Sequence, residues 1–221
     1  MSTARTPSPA AALVGILSTV QPQGVWTGRR QLAVRFAGEA ETAVMYSASA
    51  LAEELGRLAS HARFHSIALT GRDPLGNGDF LDVVLKEKTP PLPVMADTDG
   101  QRPEAVRQLI SCLRMVQVTV GARPADDELA RVGETLAAAA DHGVEHALVV
   151  VPDERATDAE LMRVVRAAHA AGPDVAIVLH PDETGAGGSL SARWAALLAQ
   201  AAELHDDVRI YRPLRPPMLP R

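Results

Sequence analysis

The chain carries seven histidines and one cysteine among 221 residues, and this scarcity of soft ligands limits the chemistry open to it. The thiol, Cys112, sits in Leu109-Ile-Ser-Cys-Leu-Arg114. One thiolate can neither close an intrachain disulfide nor hold three corners of a [4Fe–4S] cluster, so Cys112 reads as a partly buried small hydrophobe. His142 and His146 stand four residues apart, but Gly143 interrupts them and His146 opens an apolar run, which argues against a helical metal pair. Glu39, Glu41 and Tyr46 bring two carboxylates and a phenol into one stretch, a set suited to a hard cation and to no iron–sulfur cluster. Arg35 has a guanidinium fork that matches a carboxylate, either a ligand's or that of nearby Glu39. Gly185-Ala-Gly-Gly188 lacks the lysine and spacing of a phosphate-binding loop. Order alone nominates no Ser/His/Asp or Cys/His set.

Alternating strands and helices must position these groups. Val14 to Val20 and Gln31 to Phe36 read as strands around a turn at Trp26-Thr-Gly-Arg-Arg30. Leu51, Leu55 and Leu58 recur at helical spacing over Ala48 to Ala62. Further strands are expected at Ser66–Thr70, Leu92–Ala96, Met115–Val120, His146–Val151, Val175–Leu179 and Val208–Tyr211. Helices are expected at Asp79–Lys86, Pro103–Leu113, Ala125–Asp141, Thr157–Ala171 and Ser189–Leu204, with Thr157 and Glu160 forming a capping box. This pattern implies parallel pairing with right-handed crossovers, but it fits a doubly wound sheet and an incomplete barrel equally well. In either architecture ligands bind at the carboxyl ends of the strands.

The length suits one domain with a substantial core, built from small aliphatic side chains because only 3% of residues are aromatic. A net charge of −5 supplies no basic face for nucleic acid. The run Ala10-Ala-Ala-Leu-Val-Gly-Ile-Leu17 is too short to span a membrane and has no basic leader, so a cytoplasmic protein is expected. Residues 1–12 read as a disordered tail, 13–211 as the domain, and 212–221 as a proline-rich extended tail that drapes over the domain or serves as a peptide ligand for a partner.

One stretch carries a resemblance. Gln21-Pro-Gln-Gly-Val-Trp-Thr-Gly-Arg-Arg-Gln-Leu-Ala-Val-Arg-Phe-Ala-Gly38 resembles the N-terminal signature of the 7-carboxy-7-deazaguanine synthase family of radical S-adenosylmethionine (SAM) enzymes, Q-G-E-G-x-x-T-G-R-P-x-x-F-V-R-F-x-G. The family continues with C-x3-C-x2-C, whose cysteines hold a [4Fe–4S] cluster; here those positions are Glu39, Ala43 and Tyr46. The resemblance implies a single-domain α/β fold, an open, partial (β/α) TIM-like barrel of the radical SAM type with about six parallel strands. It is clear from Val14 to Val120 and looser from Ala147 to Asp182.

The same resemblance assigns roles residue by residue. Gln21 and Gln23 match polar groups that hold the pterin-like substrate, with the family glycine and acid changed to Pro22 and Gln23. Arg35 matches the arginine that meets the substrate carboxylate, and His180 lies in a loop of the type L-Q-P, as a donor facing the barrel mouth. Thr70-Gly-Arg-Asp-Pro-Leu75 matches the SAM-binding T-G-G-E-P-L, which nominates Thr70, Gly71, Arg72 and Asp73; Arg72 is strained if its φ is positive, and could fill the SAM pocket or bind an anion. Asp97-Thr-Asp-Gly100 matches E-T-N-G and nominates Thr98 and Asp99. The Asp-Thr that helps bind magnesium is Ser47-Ala48 here.

Two readings follow. The first is a cluster-less homologue without radical SAM activity, a pseudoenzyme that binds a small heterocyclic ligand or a partner protein, with a homodimer also in view. The second is a repurposed enzyme performing a non-radical, lyase- or transferase-like reaction on a pterin-, purine- or SAM-like substrate. Under both, no [4Fe–4S] cluster and no other metal is expected, SAM binding is left open, and neither nucleic acid nor membrane is a partner. Cysteines supplied by a partner chain would be a third route.

Overall fold

β-branched and aliphatic runs alternate with capped helices along the chain, and the strands they form join in one sheet. The computed structural model describes residues 9–86, 89–181 and 192–210. Among them the strands are β1 (Ala10–Val20), β2 (Arg30–Phe36), β3 (Val44–Ser47), β4 (Ser66–Gly71), β5 (Val94–Thr98), β6 (Met115–Val120), β7 (Glu145–Val150), β8 (Ala176–Leu179) and β9 (Val208–Ile210). The helices are α1 (Ala48–His61), α2 (Gly78–Lys86), α3 (Pro103–Leu109), α4 (Asp126–Ala140), α5 (Asp158–Ala171) and α6 (Ala192–Ala202). The strand order is β3-β1-β2-β4-β5-β6-β7-β8-β9, and no bond joins β9 back to β3, so the sheet is open.

From β2 onward every pairing is parallel and the strands succeed one another in chain order. A doubly wound sheet would reverse its order at a switch point. All the helices pack on one face, against the alternate side chains Leu32, Val34, Ile67, Leu69, Val116, Val118, Leu148 and Ile177. The other face carries a small separate cluster of Trp26, Ala68, Met95, Met115, Ala147 and Ala176, with no helical residue. Singly wound order, with no helix of the described residues on the inner face, is barrel-like.

The expected count of about six parallel strands is corrected to seven, with two antiparallel strands added at one edge. β1 pairs antiparallel to β2, because the loop Gln21–Arg29 is too short for the crossover of a dozen or more residues that parallel pairing needs. β3 lies in the stretch read as the cluster loop, and it pairs antiparallel with the start of β1, Ala10–Leu13. Its sequence hides it, since Val44 and Met45 are 58% and 65% exposed and show no buried alternation. β1 itself begins at Ala10, inside the expected tail. Residues 1–8, the glycine-rich 185–188 and the proline-rich 212–221 lie outside the described residues.

Local chemistry sets several boundaries. Ser47 Oγ accepts from Ala50 N at 3.2 Å and starts α1. Thr157 Oγ1 accepts from Glu160 N at 3.3 Å while Glu160 Oε2 accepts from Thr157 N at 2.8 Å, the capping box that starts α5. α3 stops at Leu109 and gives way to a 3₁₀ turn, Ile110–Cys112, four residues short of the helix expected to Leu113. Cys112 is partly buried there, with its Sγ 3.7 Å from Leu85 O.

Candidate functional site

Side chains alternate between the two faces of each strand. Because Gln31 and Ala33 point away from the helices, Arg35 does so too, and the β2–β4 register pairs it with Thr70. β5 and β6 pair Asp97 with Gln117, and β6 and β7 pair Thr119 with Val149. The inner face therefore gathers Arg35, Thr70, Asp97, Gln117 and Thr119 towards the carboxyl ends of the strands.

The β1–β2 loop folds onto this face. Its base is closed by Gln21 N donating to Arg29 O at 2.9 Å and Gly28 N to Gln21 O at 3.0 Å. Trp26 anchors it at the amino end of the sheet, edge-on to His65 at 4.7 Å and donating from Nε1 to Glu145 Oε2 at 3.2 Å. Its tip reaches the polar layer, where Gln23 Nε2 donates to Thr119 Oγ1 at 3.3 Å and Gly24 N donates to His180 Nε2 at 3.4 Å. Gln21 is buried, and its Nε2 donates to Gln23 O at 3.0 Å. Gly24 must be glycine, since its φ is +80° and a Cβ there would stand 1.8 Å from Gln117 Oε1.

Asp97 is the centre of the cluster. Its Oδ1 accepts from Gln117 Nε2 at 3.2 Å and from Thr119 Oγ1 at 3.3 Å. It keeps some solvent contact yet is almost surrounded by protein, as a group at the floor of a cleft would be. Burial pushes its carboxyl above the ordinary carboxylate range, and hydrogen bonds from Gln117, Thr119 and Gln21 pull the other way. A carboxyl in this setting can accept from N–H donors of a ligand or hold a proton.

The structure thus places Gln21, Gln23, Arg35, Thr70 and His180 on the inner face, with Gly71 beside Arg35, and it sets Asp73, Thr98 and Asp99 in other surroundings. Thr98 faces the helices, where its Oγ1 accepts from Gly100 N at 3.2 Å. Asp99 is exposed, and its Oδ1 accepts from Gln101 N at 3.0 Å. It lines an open cleft of about 530 Å³ beyond β5, β6 and β7, together with Thr119, Arg123 and Asp153. Gly71 has φ +99°, and a Cβ there would meet Phe36 O at 2.3 Å. Arg72 carries no positive φ, so the strain anticipated for it is absent; Asp73 instead takes the left-handed conformation, at φ 42°. Asp73 forms a two-point ion pair with Arg102, whose hydrogen bonds hold its carboxyl below the ordinary range. Arg35 pairs with Glu41 at 2.5 Å rather than with Glu39. His142 and His146 each turn Nδ1 to a backbone carbonyl, Ala138 O and Val144 O.

The sequence reading missed Asp97, Gln117 and Thr119 as site residues. Asp97 stands beside two nominated residues, and strand alternation places it, rather than Thr98, on the face of Arg35 and Thr70.

The implied cluster does not find its ligand set. Ala43 has no ligand atom, Glu39 offers hard oxygen, and Tyr46 belongs to β3, paired with Ala11 and packed on the core. A [4Fe–4S] cluster does not fit these side chains. Among the described residues no group of three or more His, Cys, Asp or Glu side chains is arranged to hold a metal ion.

Known proteins place the chain only coarsely. A 7-carboxy-7-deazaguanine synthase of Methanothermobacter thermautotrophicus is 30% identical over 113 residues, 45% of this chain and 44% of that protein. This chain is distantly similar to that synthase. The match spans less than half of either length, and no family model matches the chain. A crystal structure of a Pseudomonas aeruginosa protein provisionally assigned as a dihydrodipicolinate synthetase aligns with a TM-score of 0.39 and 19% identity, over 74% of this chain and 50% of that one. Among the described residues no helix is long and apolar enough to cross a membrane.

Proposed function

We propose that the protein is a cluster-less homologue of 7-carboxy-7-deazaguanine synthase that binds a small heterocyclic ligand at its barrel mouth and performs no radical SAM chemistry. One observation carries the ligand half of this reading. The Asp97 carboxyl is held by Gln117 and Thr119, and Thr119 is tied in turn to the loop tip at Gln23. A buried carboxyl and carboxamides on one floor match the donor and acceptor edge of a pterin or purine ring. The radical half rests on residue chemistry. The chain has one cysteine, which lies beside α3 and not at the mouth, and no side chain is a low-potential electron donor.

Calorimetry with SAM, a pterin and a purine on wild type and on Asp97→Asn tests the reading. At least one ring compound should bind, and the substitution should weaken it by about tenfold or more. Binding of none of them, or binding indifferent to Asp97, contradicts it.

A second reading is favoured by Asp97, which sits at the cleft floor among the hydrogen-bonding groups of Gln117 and Thr119 with its carboxyl pushed up by burial, a setting in which it could give or take a proton. Under it the mouth turns over its ligand without a metal–sulfur centre, and Asp97→Asn abolishes turnover while binding is partly retained.

A further inference from the structure

The amino-terminal pole of the sheet, opposite the mouth, holds an imidazole with an unused nitrogen. His146 is the second residue of β7 and is 7% exposed. Its Nδ1 stands 2.8 Å from Val144 O, and a carbonyl only accepts, so the ring proton sits on Nδ1. Nε2 of the neutral ring then carries a bare lone pair, buried and without a hydrogen-bond partner. Asp174, two residues before β8, faces it with Oδ1 at 3.5 Å. Two acceptors aimed at one point are stable only around a positive charge. His146 and Asp174 line a cavity of about 330 Å³ with Val25, Met115, Gly143 and Asp207. The neighbouring acids already have arginines, Arg209 on Asp207 at 2.6 Å and Arg114 on Glu145 at 2.7 Å. Asp174 is the carboxylate turned to the imidazole, and its side chain is 68% exposed, so an ion reaches the pair from solvent.

We propose that His146 Nε2 and Asp174 Oδ1 bind a divalent transition metal ion, with zinc the best fit. Ligand atoms 3.5 Å apart and each about 2.1 Å from one ion subtend about 110°, the tetrahedral angle that zinc adopts. The bond from Nδ1–H to Val144 O fixes the tautomer and the ring orientation, as it does in histidines that ligate metals. An imidazole beside a carboxylate selects zinc over magnesium and calcium, which take oxygen. The chain supplies two ligands, and water from the cavity completes the shell. The ion ties β7 to the connection between α5 and β8, and it binds independently of any ligand at the mouth.

Zinc titrated into the full chain, followed by calorimetry and by the ring nitrogen resonances of His146, tests the proposal. A single ion should bind and shift Nε2, while Nδ1 keeps its proton. Asp174→Asn, a change at an exposed position, should weaken binding roughly tenfold or more, and His146→Gln should abolish it. A rival site is the His169–His205 pair, whose Nδ1 atoms lie 3.2 Å apart. His169→Gln should therefore leave the zinc affinity unchanged. An Nε2 resonance that moves with pH but not with zinc makes a proton the occupant and overturns the proposal. So does zinc binding that survives Asp174→Asn undiminished or vanishes in His169→Gln.

Discussion

Asp97 is a polar group set where an apolar one would be more stable. Burial raises its pKa, so the folded protein holds this proton more firmly than the unfolded chain does. Its contribution to stability is then full below about pH 4, the ordinary range of an aspartate, and is lost as pH rises through the raised folded value. Asp97→Asn keeps an oxygen for Gln117 and Thr119 and removes the ionisation. The variant should match wild type in acid and exceed it at higher pH, in melts followed across pH. Greater stability joined to weaker ligand binding is the signature of a group retained for function. Gly71 behaves differently. A methyl group there would press on Phe36 O in a backbone conformation that L-residues rarely adopt, so Gly71→Ala should lower stability by about 2 kcal/mol or more in denaturant titrations.

At the scale of elements, the β1–β2 loop builds the site. It is pinned by Trp26 at one end and by Gln23 and Gly24 at the other. Gly24→Ala should drive the loop tip off Gln117, costing about 1 kcal/mol or more and weakening ligand binding with it, as melts and calorimetry on the same sample would report. A contrast comes from α5, far from the site in role. Thr157→Ala removes one half of a capping box and should cost about 1 kcal/mol with ligand binding unchanged. Element-level features divide sharply in how far they can be read from sequence. The capping box was legible because it is local chemistry at fixed spacing. The antiparallel edge was not, because β3 is short and exposed, and only the shortness of the Gln21–Arg29 loop hinted that β1 and β2 form a hairpin.

At the largest scale, the described residues form an open, singly wound sheet of nine strands, seven of them parallel, with their helices on one face. Alternating strands and helices predicted the parallel body, but linear order could not decide between winding patterns; the long-range register does that. The site was legible in part for the same reason. Gln21, Gln23, Arg35, Thr70 and His180 lie on the inner face or the loop that covers it, whereas Thr98 faces the helices and its neighbour Asp97 the inner side, because strand parity, not proximity in sequence, decides which face a residue serves. Arg72 and Asp73 likewise differ from expectation through backbone conformation: the left-handed position falls on Asp73, which Arg102 steadies. That pair is about half exposed and should contribute no more than about 1 kcal/mol, which Arg102→Ala would measure. The function proposed for this fold, a ligand-binding mouth without radical chemistry, depends first on whether the chain can hold a [4Fe–4S] cluster. Anaerobic reconstitution of the full chain with iron and sulfide, read by the visible absorption of a [4Fe–4S] cluster, tests it most directly. No cluster band should develop above that of free iron sulfide; a stoichiometric cluster that cleaves SAM on reduction would contradict the account.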